Sequence, residues 1–343
     1  MSVAMAMAAS AVVVSLVPQR ICVDQRTGYP NFDIALRNDG PVEAKITEIR
    51  GLVVNNDNEV IERRLVWQDS LAASRPDASV PAKASAMMFN PMVFNHAAPG
   101  KRLRIEIDFD KAETASAEAR PVDCAAGQPA LAMPIAGRVL VYDGYDSLSH
   151  HRRSDFRGTL GDKMGITGNF QRFGIDLVAV DRAGRLWRGN GKRTSDWLGW
   201  GQPVRAAAAG VVVGSHNRQP DNVEIGTVDK WGGPKVENPM SSYGNYVLID
   251  HGGGEYTLYG HLREGSVKVT KGARVAAGQP IGALGNSGAS GGVHLHWERR
   301  RGVGLGLANI ETQPIFVSNI RIVGGGTAPG PVPIDTGDII IAE

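Results

Sequence analysis

The sequence predicts an all-β protein built as two domains. Three observations carry this: short β-branched apolar runs recur along the chain, Gly and Pro punctuate them, and convincing amphipathic helical stretches are missing from both halves. Gly 43 and Pro 19 among 343 residues exceed the usual share without reaching low-complexity composition. At roughly 150 residues per domain the length allows about two, each able to bury its own core. Lys plus Arg 37 against Asp plus Glu 35 gives a net charge of +2, which leaves no electrostatic case for binding nucleic acid. A hydrophobic share of 42% excludes wholesale disorder.

The first stretch, MSVAMAMAASAVVVSLVPQR, is small and apolar but lacks the positively charged start of a secretory signal. It reads either as part of an incomplete targeting signal or as a first strand. From 11 to 111 the runs AVVVSLV, FDIALRN, AKITEIRGLVV, EVIERRLVW, SAMMFNPMVF and KRLRIEIDFD follow one another. Leu103, Ile105, Ile107 and Phe109 alternate with charged residues, as a strand with one buried face requires. These runs predict a β-sandwich-like accessory domain. Its one histidine, His96, lies in a Pro-, Asn- and Gly-rich loop and reads as solvated surface. Residues 112–133 have the Ala, Glu and Pro composition of a linker. Residues 134–325 are strand-like again, with IAGRVLVYD, VRAAAAGVVVGS, GNYVLIDHG, YTLYGHL and VKVTKGARVAAGQPIGALG; residues 326–343 read as a Gly/Pro-rich tail, packed loosely or as an edge strand. No apolar run reaches the roughly 18 residues of a membrane-spanning helix. Cys22 and Cys124 have no CxxC spacing, so a thiolate zinc site or a redox pair is not supported. A single long-loop disulfide and two buried thiols remain the two readings.

Seven of the eight histidines fall in the second region. In Val293-His294-Leu295-His296-Trp297-Glu298 an extended strand points His294 and His296 to one face, about 7 Å apart, two strand rises. That suits a shared metal, or one ligand beside one catalytic base; chance placement of two half-buried histidines is the bland alternative. The glycine-rich Gly285-Asn286-Ser287-Gly288-Ala289-Ser290-Gly291-Gly292 lies just upstream, and Tyr259-Gly260-His261-Leu262 before it. Gln171-Arg172-Phe173-Gly174-Ile175-Asp176-Leu177 sets a carboxylate in an apolar strand, costly unless paired or metal-bound. Zinc accepts His nitrogen and Asp oxygen, and a catalytic zinc keeps three protein ligands and one open position. His251 and His216 read as turn residues, and Trp187, Trp197, Trp200 and Trp231 as loop residues that pack or line a groove.

These segments, in this order, resemble the lysostaphin/LytM-type zinc endopeptidases that cut peptidoglycan cross-links. The resemblance covers roughly residues 135–300 and includes Gly244-Asn245-Tyr246-Val247 and the hairpin from Val267 to Leu284. It implies an antiparallel β-sheet peptidase domain with one zinc per chain. By position it places metal ligands on Asp176 and His296 and assisting roles on His261 and His294. Two departures stand out. Val293 replaces a frequent proline, and Arg172 replaces the usual histidine four residues before the aspartate; a guanidinium offers no lone pair. Members with a Gln-Arg-Phe-x-Ile-Asp form take that ligand from an upstream His-Arg-Arg segment, which here points to His151, with His150 as its rival. In an extended segment these neighbours would face opposite sides. The stretch carrying Gly158, Gly161, Gly165 and Gly168 would be the loop that folds the ligand back.

The resemblance further implies peptidoglycan stem peptides as substrate, a periplasmic or extracellular location, and an accessory domain able to meet another envelope protein. No His-Glu-x-x-His occurs, so the base must come from histidines, and Glu298 is placed to orient one. Two other readings compete: a degenerate module that regulates cell-wall enzymes, and a carbohydrate-binding β-protein using the tryptophans.

Overall fold

The computed structural model describes residues 12–23, 28–67, 69–71, 78–124, 126–146, 148–154, 169–226, 239–301, 310–328 and 330–343, with the backbone alone at 239, 311 and 328. The chain divides into two compact units, Met1–Ala126 and Gly127–Glu343. No helix of the described residues is long and apolar enough to cross a membrane.

Unit 1 contains β1 (Val12–Val23), β2 (Pro30–Asn38), β3 (Ala44–Val54), β4 (Val60–Trp67), β5 (Ser79–Val80), β6 (Ser85–Phe89), β7 (Arg102–Phe109) and β8 (Ala115–Ala119). One sheet runs β1-β2-β6; the other runs β4-β3-β7-β8, with β5 on β3. Leu103, Ile105, Ile107 and Phe109 are buried on one face of β7. They share a single core with Val14, Leu16, Ile34 and Leu36 of the first sheet, which makes the unit a sandwich. The stretch expected as a linker therefore holds β8. Its Ala115, Ala117 and Ala119 pack on this core, a two-residue alternation that a small-residue composition conceals. Cys22 and Cys124 form a disulfide, Cα atoms 5.3 Å apart, beside the parallel bridge from Cys22 to Val122.

Unit 2 contains β9 (Gly137–Asp143), β10 (Ile175–Ala179), β11 (Pro203–Arg205), β12 (Gly210–His216), β13 (Asn245–Gly252), β14 (Glu255–Leu262), β15 (Arg274–Val275), β16 (Pro280–Ala283), β17 (Leu295–Arg301), β18 (Glu311–Gln313), β19 (Phe316–Val317), β20 (Ile320–Ile322), β21 (Gly326–Ala328), β22 (Val332–Pro333) and β23 (Ile339–Ala342). Its main sheet is antiparallel, in the order β15-β12-β13-β14-β17-β10-β9-β23-β20-β21, with β18 on β17. The expected tail is part of this sheet: β23 lies between β9 and β20, not at an edge. Ile340 and Ala342 are buried there, because a β-branched run offers the edge of β9 a full ladder whatever the Gly and Pro before it suggest. The same segment anchors the chain after β9. Gly144 N–H donates to Thr336 Oγ1 (2.8 Å), Tyr145 N–H to Asp335 Oδ1 (3.2 Å), and Val141 N–H to Asp338 O (2.9 Å).

Candidate active site

Register brings the polar side chains of unit 2 to one place. Asp176 on β10 stands opposite His296 on β17 and opposite Asp143 on β9. Residues directly opposite in an antiparallel ladder share a face, so these three converge on one side of the sheet. Gly260 on β14 stands opposite His296 on its other flank. His261 then leaves β14 at φ 58°, a left-handed backbone that non-glycine residues adopt at a cost.

Asp176 Oδ1 is the hub. His296 Nδ1 lies 3.2 Å from it, His151 Nε2 3.5 Å and His294 Nε2 3.5 Å. Asp176, His151 and His296 are all buried. The His261 ring lies 4.7 Å from that of His294 and 5.8 Å from that of His296, centroid to centroid. His150 is also present, which corrects the expectation that only one neighbour faces the site. Residues 150–153 form a turn closed by Arg153 N–H on Ser149 O (3.0 Å), so both rings point the same way with centroids 3.9 Å apart. The two differ in burial. His150 has 68% of its side chain exposed, with Nε2 3.9 Å from Asp176 Oδ2, whereas His151 has 3% exposed. The glycine-bearing loop expected to fold the ligand back lies outside the described residues, as does Trp231.

A second ring of groups fixes these side chains. His296 Nε2–H donates to Glu298 Oε1 (2.6 Å), and in the metal-free protein the protonated ring also donates Nδ1–H to Asp176 Oδ1 (3.2 Å). Glu298 Oε1 also accepts from Tyr243 Oη–H (3.0 Å), and its Oε2 accepts from Arg300 Nε (2.5 Å). Arg300 Nη2 donates in turn to Tyr243 Oη (2.7 Å). On the other side, Asp143 Oδ2 lies 2.6 Å from His150 Nδ1 and 3.2 Å from His151 Nδ1, the latter N–H being poorly aimed for a hydrogen bond. His261 Nδ1–H donates to Ser287 O (2.7 Å) and His294 Nδ1–H to Gly292 O (2.8 Å), so both present Nε2 to the centre. The glycine-rich loop that supplies those carbonyls needs Gly288 at φ 78°, where a Cβ would come within 2.6 Å of Ser242 O. Asp143, Tyr243 and Arg300 were not singled out in the sequence; an acid at the end of an alternating strand was the signal available for Asp143.

Charge follows from this packing. Burial would raise Asp176, but the histidines His294, His151 and His296 hold it well below the usual carboxylate range. Burial would lower His296, but hydrogen bonds to Asp176 and Glu298 carry it up to about 9. Burial and the neighbouring imidazoles push His261 well below its ordinary value, so its ring is neutral. Burial would raise Glu298, but Arg300 and His296 bring it to about 2. Burial lowers His151.

The donor set fits a zinc ion. Ligand atoms about 2.0–2.1 Å from a tetrahedral zinc stand roughly 3.3 Å apart, and the nitrogens around Asp176 Oδ1 stand at 3.2–3.5 Å. Asp143, His150, His151 and Asp176 hold one donor atom each within 4.8 Å of one another, a group that leaves out His296. A cavity of about 650 Å³ opens onto the cluster, walled by the histidines with Tyr142, Gln171, Trp187, Trp197 and Tyr243.

Residues 198–307 match the sequence profile of peptidase family M23, a stretch holding His261, His294 and His296 but not His151 or Asp176. The chain is 47% identical over 70 residues to peptidoglycan DD-endopeptidase ShyA of Vibrio cholerae, covering 20% of this chain and 16% of that protein. It is 42% identical over 62 residues to the murein hydrolase activator EnvC of Escherichia coli, covering 18% of this chain and 14% of that one. With DD-carboxypeptidase/endopeptidase Mpg of Neisseria meningitidis it shares 36% over 100 residues, 29% of this chain and 17% of that one. The matched segments thus span less than a fifth of each relative. Through this segment the chain is similar to peptidase family M23, the lysostaphin/LytM-type metallopeptidases.

Proposed function

We propose that unit 2 is a zinc-dependent endopeptidase that hydrolyses the peptide cross-links of peptidoglycan. The observation that carries this is the placement of three imidazole nitrogens 3.2–3.5 Å around one buried carboxylate oxygen, at the floor of an open cavity. His151, Asp176 and His296 are the proposed ligands. A bound zinc would supply a water of lowered pKa and a Lewis acid for the scissile carbonyl. The chain's own residues do the rest. His261, neutral and with Nδ1–H held by Ser287 O, offers the Nε2 lone pair as a proton acceptor. His294, tied through Nδ1–H to Gly292 O, aims Nε2 at the same space, where its protonated form donates to a carbonyl oxygen or a leaving amine. Glu298 holds Nε2–H and so orients His296 with Nδ1 toward Asp176, where a bound zinc would displace the Nδ1 proton.

Unit 1 carries no comparable cluster of metal-binding groups among the described residues, and we assign it a positioning or docking role toward another envelope protein. The Cys22–Cys124 disulfide suits an oxidising compartment, which supports a periplasmic or extracellular location.

A second reading, a non-catalytic activator of other hydrolases, draws on the similarity to EnvC. Against it stands the full set of His151, Asp176, His261, His294 and His296 around one cavity. Elemental analysis of the purified protein and muropeptide release from isolated peptidoglycan separate the two. We expect one zinc per chain and soluble products, both lost in Asp176→Ala, because two protein ligands rarely retain zinc. Stoichiometric zinc in Asp176→Ala, or no release by the zinc-loaded protein, sinks the enzyme reading.

A further inference from the structure

We infer that the cavity behind Trp187 is a carboxylate-binding subsite that selects acidic peptides; this deepens, and rests on, the peptidase reading. Trp187 is shared by two cavities. It lines the catalytic cavity and also a second cavity of about 810 Å³ that Asp181, Arg185, Arg188 and Leu198 line with it. A substrate lying in the first and extending past this shared residue meets the second.

The wall is built to stay in place although Trp187 is 39% exposed. Its backbone bridges to that of Trp197, and the two rings pack tilted by 43° with centroids 5.1 Å apart. Trp197 Nε1–H donates to Gly191 O (3.1 Å). Gly191, at φ 67°, lies under the Trp187 ring; a Cβ there would come within 2.6 Å of Trp187 Cδ1. An exposed aromatic fixed so firmly is a surface for contact, not a filler of a long loop.

Beyond the wall the charge has one sign. Residues 181–193 contain Arg182, Arg185, Arg188, Lys192 and Arg193, all exposed, against the single acid Asp181. Asp181 is already engaged by the backbone N–H groups of Ala183 and Arg185 and by Arg185 Nε (2.7 Å). Arg185 and Asp181 thus answer each other, and the Arg188 guanidinium has no hydrogen-bond or ion-pair partner among the described residues. A guanidinium fork beside an aromatic wall matches a carboxylate on a short chain, which it can hold with two parallel hydrogen bonds. A neutral sugar or a fully amidated peptide would leave that cation unanswered. Peptidoglycan stem peptides with free carboxylates supply the required chemistry.

The test uses the full chain and two soluble muropeptides that differ only in having free or amidated carboxylates. With the zinc-free protein, calorimetric titration should show the free acid binding about tenfold more tightly, the size of one charge-assisted contact. Arg188→Gln should weaken the free acid to the level of the amide and leave the amide unchanged. Arg182→Gln, outside the second cavity, should preserve the difference. With the zinc-loaded protein, Arg188→Gln should raise KM for the free acid about tenfold with kcat unchanged, the mark of binding that is equal in ground and transition states. Equal binding of acid and amide, or an Arg188→Gln variant that weakens both alike, overturns the subsite. So does a glycerol-phosphate polymer that binds more tightly and displaces the free acid, since the site would then answer to phosphate. If the binding preference holds but neither muropeptide is cut, the peptidase reading has failed and the subsite stands.

Discussion

Asp176 Oδ1 has two histidine candidates from the turn after β9, and burial separates them. His151 reaches Oδ1 from inside the protein, while His150 touches the solvent side and leans on Asp143 through Nδ1. We therefore expect His151→Ala to lose its zinc and His150→Ala to keep one per chain, measured by elemental analysis after dialysis. The reverse result would transfer the ligand to the exposed neighbour. His261 carries a different prediction, from its backbone. At φ 58° an alanine keeps the strain of the left-handed region and a glycine does not. His261→Ala and His261→Gly should both lose turnover by about 10²–10⁴ while binding zinc. In thermal denaturation the glycine variant should be the more stable by about 1 kcal/mol. At this scale the sequence was informative where function sits on strand periodicity, as with Asp176 and the His294/His296 pair. It was silent where a turn decides direction. Nothing in Ser149-His150-His151 announces that Ser149 Oγ will donate to Gly144 O and bend the chain so that both rings face inward.

Strand β17 shows how one element can carry a proposed ligand and its support. His296, Glu298 and Arg300 follow at two-residue spacing, so all three lie on one face, and Tyr243 from the 3-10 turn Pro239–Tyr243 closes the group. Glu298 has a carboxyl near 2 instead of its ordinary 4.5. A depressed acid stabilises the fold above its unfolded value and loses that contribution as pH falls through its folded value. Zinc-free protein should thus lose stability progressively from about pH 4.5 down to about 2. Glu298→Gln, which has no proton to take up, should flatten that part of the curve. It should also be less stable at neutral pH by about 3–5 kcal/mol, because Arg300 keeps a buried charge without its partner. Denaturant midpoints collected across pH check both statements. The His296 and Glu298 faces were readable from alternation, but Tyr243 and Arg300 were not. Their meeting depends on long-range packing, which periodicity does not encode. The same limit hid β8 and β23, whose strand character lies in alternating Ala115, Ala117 and Ala119 and in the Ile339–Ala342 run, beneath a composition that reads as linker and tail.

At the scale of the whole molecule, two ties join distant parts of the chain. The Cys22–Cys124 disulfide closes a loop of 102 residues around unit 1. Reduction should lower the stability of that unit by about 2–4 kcal/mol, seen as a lower denaturant midpoint for a probe in residues 12–124. No change on adding dithiothreitol would show that the pair contributes nothing to the fold. The second tie is the set of hydrogen bonds from Gly144 and Tyr145 to Thr336 and Asp335, across 190 residues or more. It holds the strand end from which Asp143, His150 and His151 project. A chain cut after Ile334 should consequently bind zinc poorly although every proposed ligand is still present, a loss that elemental analysis would register. The tie also sets an order in time. On the ribosome, Asp176, His261, His294 and His296 are all made before residues 335–342, so the proposed site has its side chains but not its brace until those residues follow. A nascent chain stalled before residue 335 would then carry the proposed ligands without the contacts that brace the strand end before His151.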